Sequence, residues 1–423
     1  MNDGSPEARM RARERLLDAL RSPFLDPSPD RDGGAPFAEA DWNMAYDEAG
    51  RLGVRPLAYV HLAASAISPD IPDGVLEALR RDYMSNAAVN MLFYADLKDV
   101  LTAFREAGIR ALVLKGAYLA ESVYGNIGAR TLSDVDLLVR REDLERADGV
   151  LVRLGYSPRE RRRFVSADTN EFHYRRATTG LLLELHWELV APTYPFRIET
   201  EELWVSARPF AFAGAGGLVL SPEDQLIHTG LHASIHMYLR GLRDLFDIAE
   251  LVLHFGSDLD WDRLRARANR WRVAKCVHLP LLLAGRILGA AIPEDFLRDF
   301  QPRDFEERFY EAARNEIFDA AGGAPREARL NPNLALAFGR KGARAKWAVV
   351  RDRVFPSRNR LAAEAAGRVD SWRYLARYPG WILKLLRRNV PAGRKYVAGR
   401  MRLSKKRRPA GNEADLMAWL VSP

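Results

Sequence analysis

A chain of 423 residues, 48% of them hydrophobic, is long enough for two or three packed domains and is excluded by its composition from the intrinsically disordered class. Its formal charge of +8 is the difference between 64 basic and 56 acidic residues, so most of the charge is a mixed, solvated surface and not a polycationic one. The single cysteine, Cys276, excludes an intramolecular disulfide and a cysteine-built metal cage, which suits a reducing cytoplasm.

Met1 to Asp30 mixes both signs of charge and holds no apolar core of the kind a secretory signal needs. Residues 1–38, with Pro27-Ser28-Pro29-Asp30 and Asp32-Gly33-Gly34, are expected to be a disordered leader. Residues 39–107 turn to helical periodicity, as at Leu57, Val60 and His61, with breaks at Gly53 and between Pro69 and Asp73. A catalytic core is expected over residues 108–220. Gly108 stops the preceding helix, and Ile109 to Leu114 reads as a short buried strand ending at Lys115-Gly116. Ala117 to Tyr124 has helical composition, Gly125 to Ser133 reads as a loop, and Val135 to Val139 as a second apolar strand. A helix from Arg141 to Leu154, closed by Gly155, precedes strands near Phe172 to Arg176 and Leu181 to Leu189, with a turn near Thr179-Gly180.

Ser221-Pro222-Glu223-Asp224 has the form of a helix N-terminus with proline in the first turn, and opens a helical domain over residues 221–320. The most apolar window within it, Leu279 to Ile292, contains Arg286 and falls short of the roughly 20 apolar residues that cross a bilayer, so no transmembrane segment is expected. Residues 321–423 read as a helical, basic extension. Trp381 to Ala410 carries eleven Lys and Arg residues and no acidic one, and would meet an anionic membrane or RNA electrostatically unless it is simply a solvated helix with a frayed end.

Strand alternation puts Asp134 and Asp136 on one face while Val135, Leu137 and Val139 point into the protein. Two adjacent carboxylates repel each other unless a divalent cation lies between them, and magnesium is the natural hard-oxygen partner. The same alternation puts Glu184, His186 and Glu188 opposite Leu183, Leu185, Trp187 and Leu189. If that strand pairs near the aspartate strand, Glu184 becomes a third carboxylate and a two-metal site is complete. A solvated strand edge is the alternative for an isolated Asp-x-Asp. His228, His232 and His236 recur every four residues and would line one helix face, part of it toward the cleft. Arg243, Asp244 and Asp247 further along would cap helices or meet nucleotide.

Leu114-Lys115-Gly116-Ala117, then Arg130-Thr131-Leu132-Ser133-Asp134-Val135-Asp136-Leu137-Leu138-Val139, Gly155-Tyr156 and Leu183-Glu184-Leu185-His186-Trp187 together resemble the nucleotidyltransferase superfamily of polymerase-β-like fold, and most closely a bacterial nucleotidyltransferase family. The likeness extends over about residues 40 to 290. It implies an α+β fold with a small mixed β-sheet flanked by helices, two magnesium ions and a nucleoside triphosphate as substrate. It also implies that Asp134 and Asp136 ligate both metals and that Glu184 is the third ligand, near the attacking oxygen. The acceptor hydroxyl, on a small molecule or a protein, is left open, as is a nucleotide-binding protein without turnover. The superfamily's Gly-Ser after the first strand stands here as Lys115-Gly116-Ala117, so Lys115 and the Gly116 backbone are the expected triphosphate contacts, with Lys115 snorkelling at a strand end as the alternative. Arg130 and Ser133 are further candidates for phosphate, against a surface salt bridge for Arg130. His186 would orient a carboxylate, touch substrate, or simply pack.

Overall fold

The structure, a computed structural model, describes residues 6–21, 39–65, 70–158, 169–319 and 412–422. The basic segment 381–410 lies outside them. Four helices come first: α1 (Pro6–Arg21), α2 (Glu39–Arg51), α3 (Arg55–Ala64) and α4 (Asp73–Glu106). The expected leader thus contains a helix. Ala12, Leu16, Ala19 and Leu20 recur at helical spacing and are buried, and Arg13 reaches Glu48 of α2 at 3.2 Å, so an apolar stripe embedded in charge is enough to dock it.

A seven-stranded mixed sheet follows, in the order β3-β4-β5-β2-β1-β7-β6. Its strands are β1 (Ala111–Leu114), β2 (Val135–Val139), β3 (Tyr156–Pro158), β4 (Glu171–Arg176), β5 (Leu182–His186), β6 (Arg208–Phe212) and β7 (Ala215–Val219). The centre is β1 and β2, antiparallel, with β5 parallel to β2 and β7 parallel to β1. Every residue of β1 and β2 is buried, as strands covered on both faces require. Between β1 and β2 the chain makes a short helix, α5 (Gly116–Tyr118), that runs into a π-turn over Leu119–Val123. After β2, α6 (Leu144–Arg153) ends where Gly155 takes φ +84.

The β6–β7 hairpin is absent from the sequence expectation. Its run Ala215-Gly216-Gly217 has too few side chains to show alternation, and its turn is marked only by Ala213 and Gly214, at φ +46 and +85, the left-handed pair that tight hairpins use. Beyond α7 (Thr200–Ser206) and this hairpin come α8 (Pro222–Ile235), α9 (Arg243–Phe255), α10 (Trp261–Arg270), α11 (Ala274–Leu283), α12 (Glu294–Phe300) and α13 (Glu307–Asp319), with a last helix at Asn412–Leu420. Ser221 caps α8 as expected, its hydroxyl accepting from the Asp224 N–H at 3.3 Å with Pro222 in the first turn. α8 is buried along nearly its whole length. Gly230 lets it approach α11, since a Cβ there would stand 3.0 Å from the Cys276 carbonyl oxygen. Among the described residues no helix is long and apolar enough to cross a membrane.

Candidate active site

The register of the central strands builds the site. Asp136 of β2 lies beside Glu184 of β5, and Glu184 lies opposite His173 of β4. One step along, His186 lies opposite Glu171. Because side chains alternate, these five polar groups share one face of the sheet while Leu183 and Leu185 take the buried other face. Lys115 enters from the end of β1, since Leu114 is paired with Asp136.

His186 is the hub. Its Nε2 lies 3.0 Å from Asp136 Oδ1 and 3.6 Å from Glu184 Oε2, and its Nδ1 lies 3.1 Å from Glu171 Oε2. Lys115 Nζ stands 3.4 Å from the same Asp136 oxygen. Burial opposes charge on His186, yet the three carboxylates around it outweigh that and hold the imidazole well above its ordinary pKa. For Asp136, Lys115 and His186 likewise overcome burial and keep the carboxyl well below the usual range. Glu171 is half-buried, which works to raise it, yet the His186 imidazole 3.1 Å away, helped by His173 and Lys115, brings it down to about 2. Glu184 goes the other way: burial raises it, and the negative charges of Asp136 and Asp134 add to that.

Such a concentration of carboxylate calls for cations. Single ligand atoms of Asp136, Glu184 and His186 lie within 4.8 Å of one another, as do those of Glu171, His173 and Glu184. Two carboxylates on adjacent strands are the hard oxygen donors that magnesium takes. The residues therefore fit a divalent cation, with Lys115 and His186 supplying the positive charge in the structure as it stands.

Of the residues singled out from sequence, the fold gathers Lys115, Asp136, Glu184 and His186 at one place. Asp134 stands just before β2, half-buried, and its carboxylate accepts from the exposed Ser133 hydroxyl at 3.0 Å. Glu188 falls beyond the end of β5 and accepts from Thr200. Arg130 goes elsewhere. Its guanidinium is 5% exposed and makes two parallel hydrogen bonds of 2.7 Å to Asp247 of α9, where the Tyr124 hydroxyl also donates at 2.9 Å. Gly116 is covered by that same side chain, for a Cβ on it would meet Arg130 Nη1 and Leu132 Cδ2 at 2.7 Å. Neither is open to phosphate in this arrangement, because a buried guanidinium takes the nearest buried carboxylate.

Helix α8 and the turn after it close the site. A cavity of about 370 Å³ lies between the sheet face and α8, lined by Lys115, Glu171, Glu184 and His186 on one wall and by His228 and His232 on the other. His236 and Arg240 complete the second wall. The expected histidine row thus faces the cleft in part. Glu171, His173 and Arg240 were not foreseen; the period-two pattern Glu171-Phe172-His173, matching Glu184-Leu185-His186, was the available signal for the first two.

Residues 38–289 match the model of a family described as uncharacterised nucleotidyltransferase. Among solved structures the chain is similar to the antibiotic-resistance factor ANT(2'')-Ia, whose solution structure is described as revealing substrate-regulated conformation dynamics. The identity is 13%, the match covers 43% of this chain and 92% of that one, and the TM-score is 0.32. No curated protein matches the chain.

Proposed function

The chain belongs to the uncharacterised nucleotidyltransferase family, and from that premise we propose that it transfers a nucleoside monophosphate from a nucleoside triphosphate to an acceptor hydroxyl, on a small molecule or a protein, with magnesium as cofactor. In this reaction a bond forms between the acceptor oxygen and the α-phosphorus, and the bond from that phosphorus to the bridging oxygen breaks to release pyrophosphate. The observation that carries the reading is the parallel register of Asp136 with Glu184, which sets two carboxylates side by side at the centre of the sheet.

Asp134, Asp136 and Glu184 would hold the metal, which supplies charge neutralisation at the phosphates and acidifies the attacking hydroxyl. Glu184 lies level with Asp136 on the neighbouring strand, so both carboxylates can face one cation, and the acceptor's proton leaves to solvent. His186 bridges Asp136 and Glu171 and so fixes the orientation of both carboxylates. Lys115 keeps Asp136 ionised.

The test is incubation with magnesium, labelled nucleotides and a panel of acceptors. Transfer is expected, and is expected to fall to background in Asp136→Asn and Glu184→Gln; transfer that survives both substitutions would overturn the reading. A second reading, nucleotide binding without turnover, is favoured by one observation, the covering of Gly116 by Arg130. It predicts saturable, magnesium-dependent binding in a calorimeter with no product.

A further inference from the structure

We propose that the polyphosphate chain of the donor nucleotide is gripped from the helical domain, by Arg240 with His228 and His232, across the cavity from the carboxylates. This deepens the transferase reading and rests on it for the identity of the ligand. It begins from a shortage. The phosphate contacts expected from the sequence are taken: Arg130 is locked to Asp247, Gly116 is covered, and Lys115 is tied to Asp136. The carboxylates of the sheet wall, Glu171 and Glu184, have no donor to offer a phosphate oxygen when ionised.

The opposite wall has the chemistry that is missing. Arg240 lines the cavity half-buried and makes no ion pair with any described carboxylate. Arg267, by contrast, is spent on Asp224 and Arg176 on Asp96. A guanidinium presents a fork of N–H donors that matches phosphate oxygens. His228 is 3% exposed and its ring Nδ1 is buried without a hydrogen-bond partner among the described residues, the condition of a group that awaits one. His232 Nδ1 lies 3.6 Å from Asp244 Oδ2, and its ring centroid is 4.4 Å from that of His236. Burial, reinforced by Lys115, holds both His228 and His232 well below the ordinary imidazole pKa, so each carries one N–H donor and one acceptor.

The backbone that presents Arg240 is fixed. After α8, Met237 and Tyr238 both take left-handed conformations, at φ +52 and +56, although neither is glycine. Their side chains are buried, the Tyr238 N–H donates to the Ala233 carbonyl at 2.9 Å, and Gly241 packs so tightly that a Cβ would stand 2.6 Å from the Leu52 oxygen. This reversal returns the chain to the cavity mouth at Arg240. The cavity, about 370 Å³, falls in the size range of small-ligand sites, roughly 300–1,000 Å³.

Calorimetric titration of the full-length protein with inorganic tripolyphosphate, without metal, tests the grip directly. Arg240→Gln is expected to weaken binding at least tenfold, Arg240→Lys to restore part of it, His228→Leu to weaken it less, and Arg298→Gln, an exposed control, to leave it unchanged. Thermal melting of each variant shows whether it is folded; should Arg240→Gln not fold, His228→Leu and Arg240→Lys carry the test. Titration with ATP and with adenosine separates the phosphate chain from the base, since only ATP binding should depend on Arg240. Tripolyphosphate binding that is absent, or that is unchanged in Arg240→Gln, overturns the inference. If tripolyphosphate binds through Arg240 but no nucleotide is transferred to any acceptor, the inference stands and the transferase reading falls. If transfer occurs and the nucleotide KM is the same in Arg240→Gln as in the native protein, the reverse holds.

Discussion

Arg130 and Asp247 show how burial decides what a charged residue does. Arg130 sits three residues before Ser133, in the stretch that resembles a nucleotide-binding motif, yet its two 2.7 Å hydrogen bonds to Asp247 tie the β1–β2 connection to α9. Removing one partner leaves the other charged and buried, so Asp247→Ala is expected to destabilise the protein by about 3–5 kcal/mol, read as a lower denaturation midpoint. Gly116→Ala is expected to cost about 1–3 kcal/mol by the same measurement, because its new methyl must displace Arg130 or Leu132 from 2.7 Å. His186 belongs to the other kind, a buried group that positions two carboxylates. His186→Gln is expected to lower transfer roughly 10–100-fold per folded molecule, checked by initial rates with circular dichroism reporting the folded fraction. That Asp136, Glu184 and His186 lie on the polar faces of their strands was legible from alternation, and their selection as a set came from the likeness to a family; the fate of Arg130 was not legible, because its partner lies on a helix of another region.

At the scale of elements, β2 and β5 were legible because each is a short apolar run whose few polar residues, Asp136 in β2 and Glu184 and His186 in β5, fall on one face. β3 and the β6–β7 hairpin were not. Three residues give β3 no period to detect, and the glycines of β7 remove the side chains that would show one. α8 was marked by its cap, and that cap is structural for the site, since α8 carries His228 and His232. Ser221 is 1% exposed, and its hydroxyl accepts from the Asp224 N–H and donates to Asp224 Oδ2 at 2.9 Å. Ser221→Ala is expected to cost about 1 kcal/mol, seen as a shift in the urea midpoint without change in its slope. α1 was missed for the opposite reason to β7: its apolar positions are present but outnumbered by charge, and they are buried only by tertiary docking, with Arg13 reaching Glu48 of α2 and Arg21 the Ile287 carbonyl.

Over the whole molecule, buried histidines set how stability responds to acid. His278 is 1% exposed, between Phe300 and Phe305, and burial lowers its pKa to about 4. His61 is likewise lowered to about 4. Between that value and the unfolded value near 6.5, the unfolded chain binds a proton that the native state does not, so stability is full above about 6.5 and is lost as pH falls toward 4. At about 1.4 kcal/mol per unit, His278 alone accounts for roughly 3 kcal/mol across that window. His278→Leu is expected to flatten the dependence of the melting temperature on pH between 6.5 and 4; an unchanged slope would remove His278 from this account. His186, raised in the native state, acts with the opposite sign: its contribution is full below about 6.5 and is lost as pH rises toward its higher native value.

The sequence by itself determined the local facts: where β1, β2 and β5 run, which of their residues share a face, where α8 begins, and that carboxylates stand at spacings suited to a metal. These follow from short-range periodicity and capping, which need only neighbouring residues. Tertiary structure decided what depends on long-range pairing: that β5 lies parallel to β2 with Glu184 level with Asp136, that Arg130 is consumed by Asp247, and that α8 and the turn after it set the histidines and Arg240 across from the carboxylates. Register and partner choice are fixed by burial of whole faces against one another, and no local pattern of residues carries that information. The carboxylate cluster first visible as Asp134-Val135-Asp136 is therefore half of the cleft, and its opposite wall exists only in the folded chain.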